Sequence, residues 1–161
     1  MRFSRAAAAA FAVFVFLVSP QVAAQSSITT VSRQNEAINA AIEKAQKTLP
    51  VFFARMQKPQ PGDTGFQIKI RFETSTPPNG EHVWARDIVR DGDKVSATIA
   101  SDPRDIPNLR RGSRVTVPLS QVTDWLVEND GKYVGAYTVR ALLPFMRPEE
   151  ADAMRRRLAP E

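Results

Sequence analysis

Cysteine is absent from this sequence of 161 residues, and histidine occurs once. Without cysteine there is no disulfide framework, no thiolate metal site and no cysteine nucleophile. One histidine cannot furnish a multi-imidazole centre from a single chain. No Walker loop, dinucleotide fingerprint or G-x-S-x-G elbow occurs either, so no cofactor is expected. No apolar run reaches the roughly 20 residues that a membrane-spanning helix needs. What remains is 43% hydrophobic and 24% charged, the composition of a globular domain rather than a disordered chain, and the length suits one domain.

The start of the chain reads as an export signal. Arg2 and Arg5 precede an uncharged apolar run from Ala6 to Val18, Ser19-Pro20-Gln21 breaks it, and Val22-Ala23-Ala24 offers small residues to a peptidase. Residues 1–24 are therefore expected to be a signal peptide, and the protein to be periplasmic or secreted, with no membrane span left after cleavage. Removing Arg2 and Arg5 lowers the formal charge of +5 by two. That weakens the case for nucleic acid as a partner. Another envelope protein or a small ligand fits better.

Residues 25–34 read as a flexible lead, residues 35–146 as a single α+β domain and residues 147–161 as a C-terminal helix and tail. Ser32 reads as an N-cap, with Glu36 in the first turn. Ile38, Ala41, Ile42, Ala45, Leu49, Phe52, Phe53 and Met56 then trace one helical stripe, which Pro50 should kink or divide. After Lys58-Pro59-Gln60-Pro61-Gly62 the period changes to two. Phe66, Ile68, Ile70 and Phe72 form the inward set of a strand, and Gln67, Lys69, Arg71 and Glu73 the outward set. Further strands are expected over Val83–Val89, Lys94–Ala100, Arg114–Leu119, Val122–Val127 and Tyr133–Thr138. Asp91-Gly92-Asp93 and Asn129-Asp130-Gly131-Lys132 supply hairpin turns. Thr138 could cap a short helical turn, and Pro148-Glu149-Glu150 opens a last helix closed by Arg155, Arg156 and Arg157. The expected fold is α+β: a long N-terminal helix on a curved, mostly antiparallel sheet of about six strands, with short C-terminal helices.

Several pieces in order are similar to a bacterial family. They are Phe66-Gln-Ile-Lys-Ile-Arg-Phe72, Glu81-His82-Val83-Trp84, Gly92-Asp93, Arg111-Gly112-Ser113-Arg114-Val115, Asp124-Trp125, Gly131 and Gly135-Ala136-Tyr137-Thr138-Val139-Arg140. Together they resemble the YegJ-like proteins, domain of unknown function 2314, over about Glu36 to Leu143. Many relatives carry Gly-Gly-Tyr where this chain has Gly135-Ala136-Tyr137. The resemblance implies a fold but no activity.

The chemistry-bearing residues are few. Glu81, His82 and Trp84 enter a strand after a proline-rich loop, a usual place for functional side chains. Asp124 shares its strand face with Val122 and Leu126, so it needs donors, and Arg140, His82 or Trp84 could provide them. One polar cluster at a sheet end would follow, with Trp125 beside it. Glu81, His82, Trp84, Asp124, Trp125 and Arg140 are thus the candidate binding residues. A hydrolase using His82 with Glu81 or Asp124 is the alternative to a non-catalytic binding or interaction module. Glu81, His82 and Asp124 could ligate a metal, but no spacing demands one, and none is expected. Ser120 and Thr123 are hydroxyls on a strand rather than activated nucleophiles. Arg110, Arg111 and Arg114 read as a solvated loop, and Arg155–Arg157 as complements to a helix dipole. Mass spectrometry of the exported protein should find Gln25 at its N-terminus, and an intact Met1 would overturn the leader assignment.

Overall fold

A computed structural model describes residues 21–75 and 80–161, with side chains from residue 32 onward. Most of the expected leader, and residues 76–79 of the proline-rich loop, lie outside the described residues. The first element, α1 (Gln21–Gln57), is one helix. It takes in the segment read as a flexible lead, so Ser32 lies inside it and caps nothing. Pro50 does not divide it. Proline removes one i→i−4 hydrogen bond from a helix, a loss of about 3 kcal/mol. Here Pro50 and Gln46, whose carbonyl loses that donor, are both exposed, so water can serve the carbonyl. Leu49, Phe52 and Phe53, on the other side of the same turns, are buried against the sheet and hold the helix in place.

Six strands follow: β1 (Asp63–Phe72), β2 (Glu81–Asp91), β3 (Lys94–Ile99), β4 (Arg114–Pro118), β5 (Val122–Asn129) and β6 (Lys132–Gly135). They pair antiparallel throughout, in the order β4-β3-β2-β1-β5-β6. The turn between β5 and β6 has Asp130 at φ 47° and Gly131 at φ 76°, the two left-handed residues of a tight primed hairpin. Only the 3-10 turn Leu119–Gln121 joins β4 at one edge to β5 on the far side of β1. In a flat sheet those strands would lie four spacings apart, about 19 Å, which is more than a three-residue turn comfortably spans. The sheet therefore curls.

Its inner face carries the core. Ile68, Ile70, Val83, Ala85, Val95, Ala97, Ile99, Val117, Val122, Trp125 and Val127 bury against Ala45, Leu49, Phe52 and Phe53 of α1, with Phe66 and Phe72 packed at the margin. The alternation seen in Phe66–Phe72 thus sets the register of β1 as expected. The α+β architecture also matches: a long helix, a curled antiparallel sheet and short C-terminal helices.

The sixth strand ends earlier than its sequence suggests. Gly135 (φ 79°) and Ala136 (φ 54°) both adopt left-handed backbone and turn the chain into α2 (Tyr137–Leu142). A Cβ on Gly135 would fall 2.6 Å from Trp125, so only glycine fits there. Ala136 occupies a conformation that glycine adopts without strain. Thr138 is consequently a helical residue rather than the end of β6 or a cap. A 3-10 turn (Leu143–Phe145) and α3 (Pro148–Arg157) follow, and they bury Leu126, Ala136 and Leu158 in a second, smaller cluster with Trp84, Tyr133 and Met154 around it. Among the described residues, no helix is long and apolar enough to cross a membrane.

One ion pair ties the C-terminal end of α1 to the sheet. Arg55 grips both oxygens of Asp63, with Nε donating at 2.7 Å, while Gln60 N–H and Asn129 Nδ2 donate to the same carboxylate at 2.8 and 2.9 Å. The Arg55 hydrogen bond, reinforced by those from Gln60 and Asn129, lowers the Asp63 pKa to about 2. The folded state thus binds the proton later than the unfolded chain does. The stabilisation is complete above the unfolded pKa, near 4, and fades as pH falls through about 2. Replacing Asp63 by Asn should flatten the pH dependence of urea-unfolding stability between pH 5 and 2, and an unchanged slope would show that Asp63 is not the titrating group.

Candidate functional site

The register of three central strands sets the site. Lys69 on β1 stands opposite Trp84 on β2 and Asp124 on β5. Alternation places this row on the face away from Ile68 and Ile70. Two residues further along β1, Arg71 stands opposite His82. A bulge interrupts β5 here: Lys69 pairs with Asp124 but Ile70 pairs with Val122, so Thr123 is the extra residue. The bulge separates Val122, which joins the core, from Asp124, with which simple alternation would group it.

Asp124 has no exposed surface, and its oxygens are fully engaged. Oδ1 accepts the N–H of Trp125 at 2.9 Å and of Tyr137 at 3.0 Å. Oδ2 accepts the N–H of Thr138 at 2.9 Å and its hydroxyl at 2.5 Å. The carboxylate therefore anchors the first turn of α2 from a neighbouring strand. The donors expected for it (Arg140, His82 and Trp84) are not the donors it has. A backbone turn brings amides closer to it than any of those side chains.

Lys69 lies between this anchor and Trp84. Its Nζ donates to Thr138 Oγ1 at 2.6 Å and sits 4.6 Å from the centre of the Trp84 ring. Burial pushes the ammonium below its ordinary pKa, and the charge of Asp124 partly offsets that. Lys69 is thus no ordinary outward residue of β1, because α2 closes over this end of the face. His82 Nδ1 lies 2.8 Å from Thr123 Oγ1, whose hydroxyl donates to the Lys69 carbonyl at 3.3 Å. Partial burial lowers the His82 pKa, and the charges of Lys69 and Arg71 lower it further.

A groove of about 700 Å³ opens over these groups. Lys69, Arg71, Glu73 and His82 form its floor, with Thr123 and Thr138. Asn35, Ile38, Asn39, Ile42 and Gln46 of α1 form one wall, and Gly80, Ser120, Gln121 and Leu142 complete the lining. Gln46 is fixed by donating to the carbonyls of Ser120 and Val122, both at 3.3 Å.

Of the six candidate residues, then, His82 lines the groove, while Trp84 and Asp124 support Lys69 and Thr138 from beside it. The other three serve elsewhere. Glu81 accepts the N–H groups of Arg104 and Asp105, at 2.8 to 3.0 Å, and holds the loop between β3 and β4. Trp125 lies in the core, its Nε1 donating to Thr48 Oγ1 at 3.0 Å. Arg140 donates to the carbonyls of Gly135, Tyr133 and Ala159 and ties β6 to the tail. Neither Glu81 nor Asp124 pairs with His82, and no three metal-binding side chains converge among the described residues. Lys69, Thr123 and Thr138 were missed as site residues. An outward-facing lysine on an alternating strand carries no sign that a helix from the far end of the chain will cover it.

Comparison with known proteins places the chain. The model of the family described as an uncharacterized protein conserved in bacteria, domain of unknown function 2314, matches residues 35–158. The chain belongs to this family. It is 26% identical to the uncharacterized protein YegJ of Escherichia coli K12, over 82% of this chain and 84% of that one. It is 28% identical to a putative ankyrin repeat protein of Neisseria meningitidis serogroup B, over 78% of this chain but only 52% of that protein, so the match spans about half of the longer relative. No solved structure matches. The family resemblance read from Glu36 to Leu143 is thus correct, and the match extends through α3.

The anchoring role of Asp124 can be measured in this member of the family. Asp124→Asn keeps the shape but turns an NH2 group toward amide or hydroxyl donors. Urea unfolding should show a loss of about 1–3 kcal/mol, the usual cost of leaving buried donors unsatisfied. A stability equal to the parent's would mean that α2 does not depend on this carboxylate.

Proposed function

We propose that this protein is an exported module of the bacterial cell envelope that binds a small ligand or partner in the groove between α1 and the sheet, without catalysing a reaction there. The observation that carries the reading is the engagement of both candidate carboxylates. Asp124 accepts four hydrogen bonds from the start of α2 and from its own strand, and Glu81 accepts three from the β3–β4 loop. A hydrolase built on His82 would need one of them within reach to orient the imidazole. Instead His82 has a threonine partner and two cationic neighbours.

A concave site with mixed apolar and polar walls suits binding. The leader-like segment Arg2–Ala24 supports the envelope location. One relative is named for ankyrin repeats, a class of array that presents extended binding surfaces, and a binding domain suits such company.

A fragment screen of the exported chain, followed by amide chemical shifts, should perturb Gln46, His82 and Thr138 together. Asn39→Trp, which places a ring in the groove from the exposed side of α1, should weaken those fragments at least tenfold. Hydrolysis of ester or phosphoester substrates that disappears in His82→Ala would overturn the non-catalytic reading.

A further inference from the structure

We propose that the groove recognises an oxyanion, a phosphate or carboxylate group carried on a small organic solute, held between Lys69, Arg71 and His82. This deepens the binding reading given above and rests on it. The three groups lie on adjacent strands and on one face: Arg71 is the cross-strand partner of His82, and Lys69 is two residues along from Arg71. All three line the same cavity.

The surroundings favour negative charge. Among the lining residues, α1, α2 and the 119–121 turn contribute amides, hydroxyls and aliphatic groups and no carboxylate. Glu73 is the acidic residue of the lining, and it is paired with Arg71 at 2.9 Å on the exposed side. An oxyanion can compete with that exposed carboxylate, because exposed ion pairs are weak. Asp124 lies behind Lys69, its oxygens turned to amide and hydroxyl donors. The Lys69 ammonium has three protons and directs one to Thr138 Oγ1, with the Trp84 ring beside it. Those contacts fix the ammonium in place before any ligand arrives, which reduces the entropy lost on binding. Because the Thr123 hydroxyl donates to the Lys69 carbonyl, His82 Nδ1–H donates to Thr123, and Nε2 is the nitrogen left for a ligand. A bound anion would favour protonation of that nitrogen and gain a charge-assisted hydrogen bond.

The cavity volume of about 700 Å³ is far larger than a bare ion requires. There is room for an organic body beside the charge, and it would rest against Ile38 and Ile42.

The test is a titration at constant ionic strength, read on the His82 imidazole and Lys69 Nζ resonances. Four probes separate the cases: glycerol 3-phosphate, succinate, glycerol and choline. Saturable shifts with glycerol 3-phosphate or succinate are expected, and which of the two responds identifies the anionic group. The same titration should raise the His82 pKa. Lys69→Met and the surface change Arg71→Gln should each weaken binding at least tenfold, and the second keeps the test valid if the first does not fold. Three outcomes overturn the proposal: no response to either anion at tens of millimolar, binding undiminished in both variants, or glycerol or choline bound in preference. If the fragment screen still maps to the groove, only the oxyanion assignment fails. If the screen is also silent there, the binding reading fails with it.

Discussion

A carboxylate without exposed surface persists in a protein interior only where donors replace the water it has lost. Asp124 meets that condition with backbone amides as well as a hydroxyl, and much else follows from this. The amides of Tyr137 and Thr138 can reach a strand carboxylate only if the chain turns sharply after β6. Gly135 and Ala136 make that turn in left-handed conformations, with the Gly135 Cα against the Trp125 ring. The anchored α2 then lies against α1 and covers the lysine end of the sheet. Charge, turn and helix placement are one construction. Loss of the carboxylate would leave several donors unsatisfied at once.

The groove is a consequence of that construction. One end of the polar face is closed by α2, and α1 flanks the rest. Lys69 is the group most affected. On β1 the flanking Ile68 and Ile70 lie in the core and Arg71 is exposed, whereas Lys69 is enclosed by Trp84, Thr138 and the field of Asp124. A cation held in place beside a cavity is a natural receptor for a charged ligand, and it gives the site a polarity that the net charge of the chain does not convey.

Much of the fold was legible in local pattern. The alternation from Phe66 to Phe72 sets which face of β1 is buried, because a strand has period two and a core forms on one side only. The helical stripe from Ala41 to Phe53 identifies the helix that packs there. Asp130-Gly131 and Gly92 mark hairpins because both positions need left-handed backbone. Pro50 misled because the cost of proline is a local quantity, and the buried Phe52 and Phe53 outweigh it through contacts that are not local. The extent of β6 misled for a similar reason: Tyr133–Thr138 has strand-like composition, but its end is set by the turn that feeds Asp124.

The candidate site divides along the same line. His82, Trp84 and Asp124 could be singled out because residue type alone makes them unusual: the one imidazole, an indole beside it, and an acid among apolar neighbours. Family membership and the α+β class were likewise contained in the order of short motifs along the chain. Which donors satisfy Asp124, that Glu81 holds a loop and Arg140 the tail, and that Lys69 is covered were decided only by the tertiary structure. Those facts depend mainly on pairings between residues distant in sequence, such as Asp124 with Thr138, Glu81 with Arg104 and Lys69 with Thr138. A one-residue bulge at Thr123 is enough to change which side chains share a face. Sequence determines the periodicity of each element and the chemistry it can offer; the meeting of those chemistries depends on register and crossing, which no single segment encodes.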